Sequence, residues 1–111
     1  MRTINVSREF YSHLVNRDAR QGDGQHTAQE FREKFLAELD SREWWENSGE
    51  KISIDLEGVE TLGPSWANEA FAYFAKYDVS PEKFFEKVLF KNISKVKTAI
   101  IITELKAGYN G

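Results

Sequence analysis

Ile52-Ser53-Ile54-Asp55-Leu56-Glu57-Gly58 runs, after a short connection, into Gly63-Pro64-Ser65-Trp66-Ala67-Asn68-Glu69-Ala70-Phe71. Ile52, Ile54 and Leu56 alternate with Ser53, Asp55 and Glu57, the period of a strand with one buried face, predicted over 51–57. Val59 and Leu62 are apolar points in the connection. Pro64 keeps Gly63 out of helical geometry, and Ser65 is placed to cap a helix. From Trp66 the period becomes helical: Trp66, Ala67, Ala70, Phe71 and Phe74 share one face, with Asn68, Glu69 and Lys76 away from it. A strand delivering its chain into a helix start is the elementary unit of an α/β layer.

Upstream of this unit, Thr3 to Val6 alternates as a short strand. Ser7 to Val15 has no clean period and is compatible with a short helix face or a second strand. Asn16 to His26 holds Gly22, Gly24 and two Asp with almost nothing apolar, and reads as the longest loop. Thr27-Ala28-Gln29-Glu30 is a capping box. Behind it Phe31, Phe35 and Leu39, with Ala28 and Leu36, form the stripe of a helix ending near Asp40 or Ser41. Trp44 and Trp45 are adjacent, so one is expected to cover the core edge and the other to be exposed, a candidate anchor for a monomer or weak homodimer equilibrium. Downstream, Ser80-Pro81-Glu82 restarts a helix after a break at Asp78, and Val88 to Phe90 is a short strand. Ser94 to Lys106 reads as a helix capped by Asn92 or Ser94 and stopped by Gly108.

Composition excludes several kinds of function. The chain has 111 residues and a formal charge of −3, distributed as +1 over 1–26, −7 over 27–90 and +3 over 91–111. That length is one domain's worth, 1–111, and the 15 aromatic residues (14%) are enough for a core. No overall basic field exists to draw in nucleic acid, and Lys91, Lys95, Lys97 and Lys106 lack interleaved aromatics. The absence of Cys removes disulfides, thiolate metal sites and thiol catalysis. No apolar run reaches the ~20 residues of a membrane span, and the first residues lack a signal-peptide core. A cytoplasmic protein without membrane contact is the expectation.

Candidate chemistry is sparse. His13 and His26 are the only histidines and fit no metal motif, so no metal and no cofactor is expected. Asp55 and Glu57, two apart on a strand, share a face, but no third group completes an acid–base set. Gly63-Pro64-Ser65-Trp66-Ala67 is not a nucleophile elbow, since Ala67 replaces the second Gly. No residue is therefore assigned to catalysis, and the protein is expected not to be an enzyme. Arg17 and Arg20, beside Gly22 and Gly24 and together with Asp55, form a candidate anion or small-molecule site. Ser65, at a helix N-terminus, sits where a phosphate is stabilised by orphan amides.

These motifs, taken in order, resemble STAS-like domains and more closely the DUF4325 family. The family shows an Asp-Leu/Phe-x-Gly-Val strand end, matched by Asp55 to Val59, and a Ser-aromatic-x-x-Glu helix start, matched by Ser65, Trp66 and Glu69. Upstream, Arg20, Asp23-Gly24 and Thr27 to Arg32 match an Arg, an Asp/Glu-Gly and a Ser/Thr-x-x-Glu-Phe-Arg helix. Phe90 to Asn92 matches a Phe-x-Asn strand end. The resemblance spans about Ile4 to Leu105. It implies an α/β layered fold with a mostly parallel sheet of about four strands backed by helices. It also implies a regulatory domain that binds a protein partner, such as a histidine-kinase-like ATPase, through Gly63, Pro64, Ser65, Trp66, Glu69, Asp55 and Arg20. Anti-sigma factor antagonists of the wider superfamily are switched by phosphorylation within Asp-Ser-Ser-Gly. Here Gly63, Pro64, Ser65 and Trp66 stand in those places, which leaves Ser65 as the hydroxyl and possible phosphoacceptor.

Overall fold

The computed structural model describes residues 1–17 and 25–110. β1 (Arg2–Asn5) leads directly into the one-turn helix α1 (Val6–Glu9), and β2 (His13–Leu14) follows, so the Ser7–Val15 stretch, compatible in sequence with a helix or a strand, contains both. α2 (Ala28–Phe35), a 3₁₀ turn (Ala37–Leu39) and α3 (Arg42–Asn47) connect to β3 (Ile52–Asp55). After β4 (Thr61–Leu62) come α4 (Pro64–Ala70), a 3₁₀ segment (Ala72–Tyr77) and α5 (Pro81–Lys87). β5 (Val88–Lys91) and α6 (Lys95–Asn110) complete the chain.

β1, β3 and β5 form a parallel sheet in that order. Ile4 lies beside Ile54 and Ile54 beside Phe90, and in the next row Asn5, Asp55 and Lys91 align. β2 and β4 make a second, two-residue parallel pair, His13 with Thr61 and Leu14 with Leu62. The expected α/β architecture with a parallel sheet is thus realised, with its strands divided between two sheets. The chain steps from β1 to β3 to β5 in one direction across this sheet, and parallel neighbours require the crossover connections that α2–α3 and α4–α5 supply. Ile4, Ile52, Ile54 and Val88 are buried, whereas Thr3 and Lys91 are exposed.

Aromatic rings fill the space between sheet and helices. Centroid separations run 5.2 Å from Phe31 to Trp66, 5.9 Å from Trp66 to Phe71, 5.9 Å from Phe71 to Phe84 and 5.8 Å from Phe84 to Trp45. Edge-on and offset contacts of this kind add about 0.5–1.5 kcal/mol per pair beyond the area they bury.

Four local expectations are corrected. Both Trp44 and Trp45 are buried, at 7% and 2% exposure. Trp45 stacks on Phe84 and its indole N–H donates to the Leu39 carbonyl at 2.7 Å. Trp44 lies under the Lys87 ammonium, 4.2 Å from the ring centroid. That ammonium also donates to the carbonyls of Trp44 and Ser48, and its burial lowers the lysine's pKa. An exposed tryptophan anchor for self-association is therefore absent here. Ser65 is not the N-cap of α4: Gly63 occupies that place with extended backbone (φ −83°, ψ 149°) and Pro64 is the first helical residue. α2 ends at Phe35 rather than near Asp40, with Leu36 as its C-cap. A 3₁₀ turn then brings Leu39 into the core.

The fourth correction concerns Gly108, which lies inside α6 rather than terminating it. Its role is close approach: a Cβ there would stand 2.8 Å from the Ala72 Cβ and 3.3 Å from the Ala72 carbonyl oxygen. Gly-to-Ala in a helix interior ordinarily gains about 1 kcal/mol. At this contact Gly108→Ala is expected instead to lose about 1–3 kcal/mol through overpacking, read as a lower urea midpoint at unchanged m-value.

Candidate interaction site

The start of α4 is built by three segments distant in sequence. β4 is held beside β2, and the Gly63 amide donates to the Leu14 carbonyl at 2.8 Å. This fixes where the chain turns from strand into helix. Pro64 and Ser65 are exposed on that turn, whereas the neighbouring Trp66 is 1% exposed and packs on Phe31.

Beneath the turn lies an ion-pair cluster that the sequence reading left unassembled. Arg32 of α2, itself 7% exposed, donates through its guanidinium to a Glu69 carboxylate oxygen at 2.6 Å and through Nε to the Glu69 carbonyl at 3.2 Å. The guanidinium also stacks on Tyr73, 3.6 Å from the ring centroid. Arg17 approaches the same carboxylate at 3.5 Å and donates to the Asn68 side-chain oxygen at 3.1 Å and to the Ser65 carbonyl at 3.4 Å. One glutamate on α4 therefore collects two arginines, one from α2 and one from the start of the 16–26 stretch.

That segment is tied to α2 as well. Thr27 caps α2 as predicted, its hydroxyl accepting from the Glu30 amide at 3.1 Å. The Asn16 and Arg17 carbonyls accept from the amides of Ala28 and Gln29. First-turn amides of a helix need such external acceptors.

The candidate residues thus separate. Gly63, Pro64 and Ser65 form one surface turn. Trp66 and Glu69 belong to the support beneath it. Asp55 lies at the end of β3, in a different set of bonds: its carboxylate accepts from the Asn92 side-chain amide and from the Glu57 backbone amide, each at 2.9 Å. These bonds, the Asn92 one foremost, hold the Asp55 pKa below the usual carboxylate value. Glu57 lies beyond the strand, so Asp55 and Glu57 do not share a strand face. Arg17 and Asp55, grouped above as an anion site, take separate partners. Arg20, Asp23 and Gly24 lie outside the described residues, as do Gly22 and the centre of the 16–26 loop.

His13 pairs with Glu60 at 3.2 Å, and His26 stacks flat on Tyr11 with a 4.0 Å centroid separation. Among the described residues no three His, Asp or Glu side chains gather as a metal site, and no helix is long and apolar enough to cross a membrane.

Losing one partner of the Arg32–Glu69 pair strands a mostly buried charge, which costs about 3–5 kcal/mol. Arg32→Met and Glu69→Leu are each expected to destabilise on that scale. The double variant should lose markedly less than the sum of the two. Additive losses in chemical denaturation would show that the pair is not coupled.

A model of the family described as a STAS-like domain of unknown function, DUF4325, matches residues 27–98. Neither the curated proteins nor the solved structures yield a match.

Proposed function

The chain belongs to the STAS-like DUF4325 family, and on that premise we propose that it is a regulatory, non-catalytic, cytoplasmic domain. It binds a protein partner through the turn at Gly63, Pro64 and Ser65. A histidine-kinase-like ATPase is the partner class that the wider superfamily implies. One observation carries the reading: the exposed turn is held from below by charged bonds reaching three segments of the chain. Arg17 bonds the Ser65 carbonyl and the Asn68 side chain, and Arg32 and Glu69 lock α4 against α2. A surface fixed in this way loses little conformational freedom on binding, which favours recognition of a protein.

Capture on the full-length tagged chain in its native host tests this. A stoichiometric protein partner is expected. Ser65→Tyr, which adds bulk only at an exposed position, should reduce its recovery by about tenfold at unchanged thermal stability. A chain that elutes alone, or a partner retained undiminished by the variant, contradicts the reading.

A second reading, a phosphorylation switch at Ser65, is favoured by a separate feature. The Ser65 side chain makes no hydrogen bond among the described residues, and the Arg17 guanidinium already stands at its carbonyl. A phosphate there would place its charge beside that guanidinium, which already bonds Asn68 and Glu69. Intact-mass spectrometry of protein expressed with its partner should show one phosphate ester that Ser65→Ala lacks. Unmodified protein under all growth conditions would remove this reading and leave the first intact.

A further inference from the structure

Lys87 closes α5 and is half-buried. Its ammonium reaches back to the open end of α3, where the Trp44 and Ser48 carbonyls accept from it. The last carbonyls of a helix have no partner within it. The face of the Trp44 ring covers the same nitrogen. Unlike Arg2, Arg17, Arg32, Arg42 and Lys76, Lys87 takes no ion pair with a carboxylate among the described residues. Burial foremost, and then the Lys83 ammonium one turn back along α5, lowers the Lys87 pKa, with Glu50 acting against them. A lysine that is desolvated and stands beside a second cation holds more of its amine uncharged at neutral pH, and the uncharged amine is a nucleophile.

Lys87 also lines a surface cavity of about 320 Å³, together with Trp45, Glu50, Lys51 and Glu86. An uncharged amine has two N–H groups to donate, against three for an ammonium. It therefore keeps both carbonyl bonds and has its lone pair left over. With Lys87 uncharged, the charged side chains of the wall are Glu50 and Glu86 against Lys51 alone. That balance turns away an anionic electrophile such as an acyl phosphate and leaves an uncharged carbonyl compound.

We propose that Lys87 is a covalent carbonyl-binding site, which takes a small uncharged aldehyde from this cavity as a reversible iminium. The Nζ lone pair bonds to the carbonyl carbon. The carbonyl oxygen takes up two protons, one shed by Nζ and one from solvent, and leaves as water. The C=N bond that replaces it carries one positive charge and one N–H. No oxidant or reductant is consumed. The iminium charge is spread over the C=N bond and is less dependent on water than the compact ammonium, so it suits a half-buried place. The Trp44 ring face and one carbonyl remain to hold it. Capture of this kind is stoichiometric. It adds a ligand to a domain read above as non-catalytic, and its failure would leave the reading of the Ser65 turn untouched.

Butanal with cyanoborohydride, which reduces the iminium to a stable butyl-lysine, tests the site in the full-length chain at neutral pH. Peptide mapping is expected to show Lys87 alkylated about tenfold faster than Lys95 and Lys106, which are exposed. The pH of half-maximal rate should lie below theirs, and the preference should vanish in urea. Without reductant, butanal should change the tryptophan fluorescence of the wild-type chain, since the iminium replaces the ammonium over Trp44, and should leave that of Lys87→Arg unchanged. Alkylation of Lys87 no faster than that of Lys95 and Lys106 overturns the proposal, as does a preference that survives unfolding or a wild-type fluorescence indifferent to butanal. A preference of equal size with acetyl phosphate in place of butanal overturns it too, because the site would then not select an uncharged carbonyl.

Discussion

The Arg32–Glu69 pair is the constraint on which the rest of the molecule depends. Both side chains are mostly buried, so neither charge is supportable alone. Their bonding fixes the distance between α2 and α4, and that distance sets where Phe31 meets Trp66. From Trp66 the aromatic chain continues through Phe71 and Phe84 to Trp45. A polar contact at one end of the helix layer thereby fixes the packing of an apolar core. Stacking of the Arg32 guanidinium on Tyr73 uses the planar, delocalised charge that a lysine lacks.

The same pair explains why two motifs distant in sequence belong to one family pattern. Glu30-Phe31-Arg32 closes the first, and Ser65-Trp66-Ala67-Asn68-Glu69 makes up the second. Phe31 packs on Trp66 and Arg32 bonds Glu69, so the aromatic position of each motif meets the other's aromatic, and the charged position the other's charge. The motifs are two halves of one joint. Pro64 and Ser65 are the exposed residues at the rim of that joint.

Sequence period alone revealed much of the layer architecture. The Thr27 and Ser80 caps and the stripe beginning at Ala28 and Phe31 reflect local rules, and the structure keeps them; in β3 Ile52 and Ile54 are buried as the alternation predicts, but Ser53 between them is buried too. What escaped was decided by tertiary contact. Two-residue strands such as His13–Leu14 and Thr61–Leu62 are too short to show a period, and exist only because they pair with each other. Trp44 disappears from the surface because Lys87, 43 residues away, lies over it. Gly108 looks like a helix stop locally, and only the presence of Ala72 shows what its missing Cβ is for. The Arg17–Glu69–Arg32 cluster left little local trace, since charged residues on a helix usually face water. Arg32, on the helix face beside Phe31 and Phe35, was the one available hint.

The parallel pairing of β1 with β3 has a consequence for the order of events during synthesis. Arg2 pairs with Ile52 and Asn5 with Asp55, so each contact spans about 50 residues. At translation rates of roughly 5–20 residues per second, β1 emerges several seconds before the strand it needs. Through that interval its apolar residues have no sheet to enter, and loop closure must precede any return from pairing. The nascent chain therefore spends its earliest life with the N-terminal strand unpaired, and the joint between α2 and α4 cannot close until Glu69 has cleared the ribosome.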